Sequence, residues 1–99
     1  MCGIAGILSR PRGQPPQARE LSAMIGRLAH RGPDGNGIHL DGPAGLAHAR
    51  LAIIDLAGGA QPLANETGSV WVTFNGEIFN FVELRADLVA RGHAFRTQS

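Results

Sequence analysis

Lysine is absent from the 99 residues, and cysteine occurs only once. A single cysteine cannot form a disulfide within the chain, which fits a reducing cytoplasm. The nine basic residues are all arginines, they form no run, and eight acidic residues offset them, so nucleic acid is not an expected partner. No apolar stretch reaches the length of a membrane span, and no positively charged segment precedes an apolar one, so neither a membrane partner nor secretion is expected.

The composition is that of one small globular domain. Hydrophobic residues make up 43% of the chain and charged residues 17%, a balance typical of folded proteins. The chain has room for one domain with a core of limited size. Fourteen glycines and six prolines predict many tight turns. The four histidines lack metal-ligand spacing and no CxxC pair occurs, so no metal site is expected.

The first half of the chain is predicted to contain strands around one amphipathic helix. The apolar run at 3–8 predicts a buried strand. Apolar residues at helical spacing predict a helix over 18–28, with Gly32 at its C-terminal cap. Two further strands, over 37–41 and 45–50, are predicted to form a hairpin at Gly42-Pro43.

The second half is less regular in pattern. Residues 51–56 are apolar enough for a strand or a buried connection, whereas 58–68 is predicted to be irregular. A strand is predicted over 70–74 and another over 93–97. Asn80 and Glu83 form the sequence pattern of a capping box at the start of a helix that Gly92 ends.

Cys2 is the most informative residue for chemistry because it follows the initiator methionine. Removal of Met1 would leave the thiol beside a free α-amine. Reference pKa values are about 7.7–8.0 for an α-amine and about 8.5 for a thiol, so such an amine can accept the thiol proton. The pattern is typical of a nucleophile that the chain terminus activates. The alternative is an incidental cysteine that packs as a small hydrophobic residue.

Four short stretches together resemble the glutaminase domain of class II glutamine amidotransferases. They are Cys2-Gly3-Ile4-Ala5-Gly6, Arg31-Gly32-Pro33-Asp34-Gly35, the stretch 47–55 and the stretch 74–80. Within that group they are most similar to glutamine-hydrolysing asparagine synthetase and its relatives. The resemblance implies that residues 1–99 are the truncated first part of a type-2 glutamine amidotransferase domain. Its α+β fold would be an N-terminal-nucleophile four-layer α/β/β/α sandwich of mainly antiparallel sheets, with about half present.

The resemblance implies catalytic roles for three residues. Cys2 would attack the amide carbon of L-glutamine, and its α-amine would act first as base and then as acid. The Asn75 side chain and the Gly76 N–H would stabilise the oxyanion of the tetrahedral intermediate. Taken alone, Asn75-Gly76 is also a common hairpin turn.

The resemblance also implies a binding site for free glutamine. Arg50 would hold the α-carboxylate with a bidentate fork, and Glu77 would receive the α-ammonium group. The backbone at Leu51, Ile53 and Ile54 would lie against the substrate. For Arg50 the alternative is an exposed ion pair, which contributes little.

Three further residues are assigned supporting roles. Arg31 and Asp34 are expected to order the loop around the site rather than take part in catalysis. His48 lies near this site in the sequence, but the terminal amine already supplies a base, so we expect a structural or supporting histidine.

Two functions of different classes follow from the sequence. The first is a glutaminase that passes ammonia to an ATP- and Mg²⁺-dependent synthetase domain, absent from these residues, which would amidate aspartate or, as in some relatives, another carboxylate. No cofactor is expected in the present stretch, and the sequence does not decide between a monomer and a homodimer. The second is a non-catalytic truncated half-domain that binds a partner through exposed strand edges.

Overall fold

The computed structural model describes residues 1–99 as a small α+β fold. Its seven elements are β1 (Gly3–Leu8), α1 (Ala18–Gly26), β2 (Gly35–Asp41), β3 (Ala44–Arg50), β4 (Leu63–Ala64), β5 (Trp71–Val72) and α2 (Phe81–Ala90). The strands form two antiparallel sheets, a first sheet in the order β1-β3-β2 and a second sheet of β4 and β5. Neither helix has the length and apolar character needed to cross a membrane.

The predicted hairpin is confirmed, and it supplies two of the three strands of the first sheet. Gly42 has a φ of +52°, a left-handed conformation that glycine adopts without steric cost, and the chain reverses there between β2 and β3. The strand β1 then pairs with the other edge of β3, with Gly3 opposite Ala49. β3 is therefore the central strand, and its successive side chains point to opposite faces of the sheet.

The helix α1 covers one face of the first sheet and forms the only hydrophobic core cluster. Leu21 and Ile25 of the helix pack against Ala47 and Ala49 of β3, and all four are buried. The small alanine side chains let the helix approach the sheet closely. Burial of each large aliphatic side chain contributes about 1.5–3 kcal/mol.

The second sheet lies against the opposite face of the first. The indole ring of Trp71 stacks on His39 with ring centroids 3.6 Å apart. His48, which points away from α1 because it alternates with Ala47 and Ala49 along β3, bonds through Nδ1 to the hydroxyl of Thr73 at 2.8 Å. A helix, two antiparallel sheets and a second helix are therefore present, as in part of a sandwich, and the α+β prediction is confirmed at that level.

The end of α1 differs from the prediction. The helix ends at Gly26 rather than at residue 28, and hydrogen bonds from Leu28 to Ile25 and from Arg31 to Leu28 follow it as tighter turns, each between residues three apart. Gly32 is not its cap. It is buried where a Cβ would overlap the carbonyl group of Ala49, so close backbone approach explains this glycine.

Three strand predictions in the second half are wrong in whole or in part. Residues 51–56 and 93–97 form no strand, and only Trp71–Val72 of the predicted 70–74 is a strand. The strand over 70–74 is shortened because β4 offers only two residues for pairing. Ile53 is 73% exposed, so 51–56 is not a buried connection either.

The capping box predicted for the second helix does not form. Asn80 has a ψ of 34° rather than an extended value, and its side chain makes no capping hydrogen bond. Its carbonyl instead accepts the N–H of Leu84. Gly92 follows the helix with a φ of +98°, as predicted for its end.

Candidate functional site

Cys2 lies just before β1, and main-chain groups of the segment after β3 surround its sulfur. The N–H of Leu51 donates to Sγ at 3.2 Å, and the carbonyl of Leu51 lies 3.6 Å from Sγ. The Arg31 side chain donates from Nε to the Cys2 carbonyl at 3.1 Å. The thiol is half-buried and held at a defined position between two segments that are remote in sequence.

The turn at 31–35 contacts the same segment from its other side. Asp34 accepts the N–H of Ala52 at 2.8 Å through its carboxylate, and its own N–H donates to the Arg50 carbonyl at 2.9 Å. The predicted loop-ordering pair, Arg31 and Asp34, therefore contacts main chain on both sides of the thiol. That role stays a prediction, but the geometry offers neither side chain as the attacking group.

Cys2 and Asn75 line one cavity, of about 310 Å³. The other lining residues are Gly3, Ile4, Leu28 and Arg31. Gly3 is buried against the turns that follow α1, where a Cβ would lie 2.8 Å from Leu28 Cβ, so this close packing accounts for the glycine. The cavity brings together a thiol and a side-chain amide donor, which is the pair that acyl transfer through a tetrahedral intermediate needs.

β5 ends at Val72, so strand pairing does not reach Asn75. Hydrogen bonds to the two intervening residues, Thr73 and Phe74, set its position instead. The Thr73 hydroxyl bonds to His48 and donates to the Ala47 carbonyl at 3.4 Å. The Phe74 N–H donates to Gln61 Oε1 at 2.6 Å, and Gln61 Nε2 donates to the Phe74 carbonyl at 3.1 Å. Sequence reasoning missed Gln61, because nothing in an irregular stretch marks a glutamine that faces a strand end.

His48 is 1% exposed, and it lies on the face of the first sheet toward the second. Burial, and then the positive charge of Arg50, lower the pKa of His48. Because Thr73 donates its hydroxyl proton to Ala47, Nδ1–H of the neutral ring is the donor in the bond between the two side chains. Nε2 is buried without a partner. His48 therefore has the geometry of a structural link between sheets.

Arg50 is the last residue of β3, and its side chain bonds to the loop that follows. Nη1 donates to the Leu56 carbonyl at 3.0 Å, and Nη2 donates to the carbonyls of Ile54 and Asp55. Asp55 has a φ of +51°, which turns the loop back toward the guanidinium. Hydrogen bonds from the backbone of Gln98 and of Gly58 lower the pKa of Asp55. Arg50 thus makes main-chain bonds rather than the exposed ion pair of the alternative interpretation.

The other predicted binding residues lie outside the lining of the cavity. Gly76 and Glu77 are exposed, and no ion pair involves Glu77. The side chains of Ile53 and Ile54 are exposed as well, whereas Leu51 is half-buried beside the sulfur. The structure therefore brings Cys2, Leu51 and Asn75 together, and leaves the proposed partners of the substrate charges open to solvent.

No group of three or more His, Cys, Asp or Glu side chains converges so as to hold a metal ion. The chemistry available at the cavity is that of a thiol, an amide donor and main-chain groups.

Comparison of the sequence with known proteins matches this chain to a family. A family profile described as a glutamine amidotransferase domain matches residues 1–99. A probable asparagine synthetase (glutamine-hydrolyzing) of Dictyostelium discoideum is 47% identical over 100% of this chain and 18% of that protein. Asparagine synthetase (glutamine-hydrolyzing) 1 of Bacillus subtilis (strain 168) is 42% identical over 100% of this chain and 16% of that protein. Asparagine synthetase (glutamine-hydrolyzing) 2 of Lotus japonicus is 48% identical over 98% and 16% respectively.

These matches extend over almost the whole chain but only a small part of each relative. The chain spans 18%, 16% and 16% of the three relatives' lengths. With a profile match from the first residue to the last and a cysteine and an asparagine meeting at one cavity, this chain belongs to the glutamine amidotransferase domain family.

Proposed function

We propose that this chain is the glutaminase part of an asparagine-synthetase-type enzyme and hydrolyses L-glutamine to glutamate and ammonia through a thioester at Cys2. The observation that carries the proposal is the shared cavity. Cys2 and Asn75 are far apart in sequence, yet they line the same space. A nucleophile and an oxyanion donor must meet in this way at one carbonyl group.

The proposed reaction begins once Met1 is removed. Met1 is 73% exposed, so the bond to be cut is accessible. The freed α-amine takes the thiol proton, and the sulfur attacks the amide carbon while the carbonyl electrons move to oxygen. Asn75 and Gly76 stabilise that oxyanion. The amine returns the proton to the departing nitrogen, which leaves as ammonia, and water then cleaves the thioester to give glutamate and the free thiol.

Binding of the substrate charges is proposed for two residues outside the lining of the cavity, Arg50 and Glu77. Arg50 has N–H groups beyond those bonded to the 54–56 carbonyls, and these would hold the α-carboxylate. Glu77 is exposed and lacks an ion-pair partner, so its carboxylate is available for the α-ammonium group. Main-chain groups of Leu51, Ile53 and Ile54 would contact the chain between the two ends.

The wider reaction is proposed from the relatives' names. Those proteins are called glutamine-hydrolysing asparagine synthetases and are several times longer than this chain. We propose that ammonia from this site passes to an ATP-dependent synthetase domain that amidates aspartate. Nothing in the cavity distinguishes aspartate from another carboxylate acceptor, because the acceptor would bind elsewhere.

The decisive experiment uses an L-glutamine analogue with a diazoketone in place of the amide. We expect one covalent adduct per chain, located at Cys2 by intact mass and peptide mapping, in protein from which Met1 has been removed. Cys2→Ala should form no adduct and lose about 10³-fold or more of any glutaminase rate. Gln14→Leu, at an exposed glutamine with no side-chain hydrogen bond, is the matched control.

A second candidate function is a non-catalytic half-domain that binds a partner. Its support is the amount of exposed apolar surface, for instance Phe79 at 90% and Leu8 at 80%. The same experiment separates the two candidates. A chain without Met1 whose thiol reacts with the analogue no faster than free cysteine does would contradict the glutaminase proposal and favour the half-domain.

A further inference from the structure

Gln61 continues the second sheet beyond the point where main-chain pairing stops. The register pairs Leu63 with Val72, so its extension sets Pro62 opposite Thr73 and Gln61 opposite Phe74. Proline has no N–H to donate, so the ladder cannot continue through Pro62. The Gln61 side chain supplies both missing bonds, because Oε1 accepts the Phe74 N–H and Nε2 donates to the Phe74 carbonyl.

The main chain of Gln61 is itself seated on the first sheet. A Cβ on Gly37 of β2 would overlap the Gln61 carbonyl oxygen and would lie 2.8 Å from its carbonyl carbon. The missing side chain at Gly37 is thus what lets the Gln61 backbone rest against β2. Since β2 belongs to the sheet that carries Cys2, the amide of Gln61 is fixed relative to the thiol and not only to β5.

These contacts end one residue before Asn75. An amide bonded to both sides of Phe74 removes the freedom of the backbone to rotate there, which sets the path of Asn75 and Gly76. We propose that Gln61 is a positioning residue that holds Asn75 at the Cys2 cavity and sets the path of Gly76 after it. Only the expected effect on the glutaminase rate rests on the proposed function.

The first arm of the test is hydrogen exchange by NMR on the full chain and needs no turnover. Gln61→Leu keeps a side chain of similar size but removes the donor and the acceptor. We expect the Phe74 amide to exchange about tenfold faster, as for loss of one hydrogen bond, and the Asn75 and Gly76 resonances to shift. Ala47 and Ala49 amides, and the Gln14→Leu control, should match the parent.

The second arm is glutaminase kinetics. Removing an oxyanion donor typically costs about 10²–10³ in rate, so its displacement in Gln61→Leu should lower kcat by about 10- to 100-fold. KM should change less than kcat, because Arg50, proposed to hold the α-carboxylate, lies at the end of β3 and is untouched. Alkylation of Cys2 by iodoacetamide, which needs no oxyanion donor, should proceed at the parent rate.

Gln61→Glu supplies a readout that a loss of folding would not give. Its carboxylate still accepts from the Phe74 N–H but faces the Phe74 carbonyl without a proton. Once protonated, it can donate to that carbonyl as the amide does. We therefore expect the ratio of its kcat to the parent kcat to rise as the pH is lowered.

The outcomes separate this inference from the proposed function. Unchanged exchange at Phe74 together with unchanged Asn75 and Gly76 resonances in Gln61→Leu would overturn the positioning role, whatever the enzyme does. Altered exchange with an unchanged kcat would overturn the catalytic consequence. A parent chain that does not hydrolyse glutamine would overturn the proposed function, while the exchange result would still decide whether Gln61 positions Asn75.

Discussion

The two halves of the molecule differ in how much hydrophobic surface they bury and in the length of their strands. The first, formed by β1, β2, β3 and α1, holds all four residues of the hydrophobic core cluster and has strands of six and seven residues. The second, formed by β4, β5 and α2, has strands of two residues and a helix with no buried residue. Hydrophobic burial holds the first half together, whereas the second depends on individual contacts with it.

The proposed active site joins these unequal halves. Cys2 belongs to the first half, and Asn75 is attached to the second through Thr73 and Phe74. The contrast teaches that the proposed nucleophile and the proposed oxyanion donor differ in how firmly they are held. Changes in the core should affect the whole chain, whereas changes at the hydrogen bonds between the halves should move Asn75 alone.

The largest effect is expected from Leu21→Ala. The side chain is fully buried in the core, and its truncation should cost about 2–5 kcal/mol of unfolding free energy. Leu84→Ala, in α2 and 41% exposed, is the matched control and should cost about 1 kcal/mol or less. Urea denaturation of both variants measures the difference. Equal losses would show that the two halves are equally well packed.

Thr73→Val should give a smaller and more local effect. It removes the hydroxyl that links His48 to β5 and leaves buried polar groups unpaired, at a cost of about 1–3 kcal/mol. Amide exchange should rise at Trp71 and Val72 while the β3 amides keep their protection. Thr73→Ser, which retains the hydroxyl, should stay close to the parent. An equal rise in amide exchange in both sheets would contradict the view that the second half is held by individual contacts.

The smallest effect is a pH dependence carried by His48. Its folded-state pKa is lowered by burial and by Arg50, so the unfolded chain binds the proton more readily. The free energy of unfolding should be unaffected by this group above about pH 6.5, the usual pKa of histidine, and should decrease as the pH falls below it. Urea titrations across that range test this. His48→Gln should flatten the slope, whereas His30→Asn, at an exposed histidine, should not.

The sequence predicts the first half of the fold well for a physical reason. The bounds of β1 follow from one apolar run, and the hairpin of β2 and β3 follows from turn residues at Gly42-Pro43. Both are local signals that tertiary structure only reinforces. Cys2 and Asn75 line one cavity, whereas their catalytic roles, which the resemblance implies, stay a prediction.

The second half could not be predicted in the same way, because its structure depends on what lies opposite each segment. The stretch 70–74 has strong strand propensity, yet only Trp71 and Val72 pair with a neighbouring strand. Phe74 is paired by the side chain of Gln61, and Arg50 turns to carbonyls of the following loop. A side chain that bonds to main-chain groups in place of a neighbouring strand produces no periodic pattern in the sequence.

The strand order β1-β3-β2 has a consequence for the order of folding. The hairpin of β2 and β3 closes through a short turn, so we expect it within microseconds. The strand β1 reaches β3 only by enclosing the chain between Leu8 and Ala44, which carries a larger loop-closure entropy. We therefore expect the strand that follows Cys2 to dock after its partners have formed. Until it docks, we expect the segment around Cys2 to be accessible to an aminopeptidase that would release Met1.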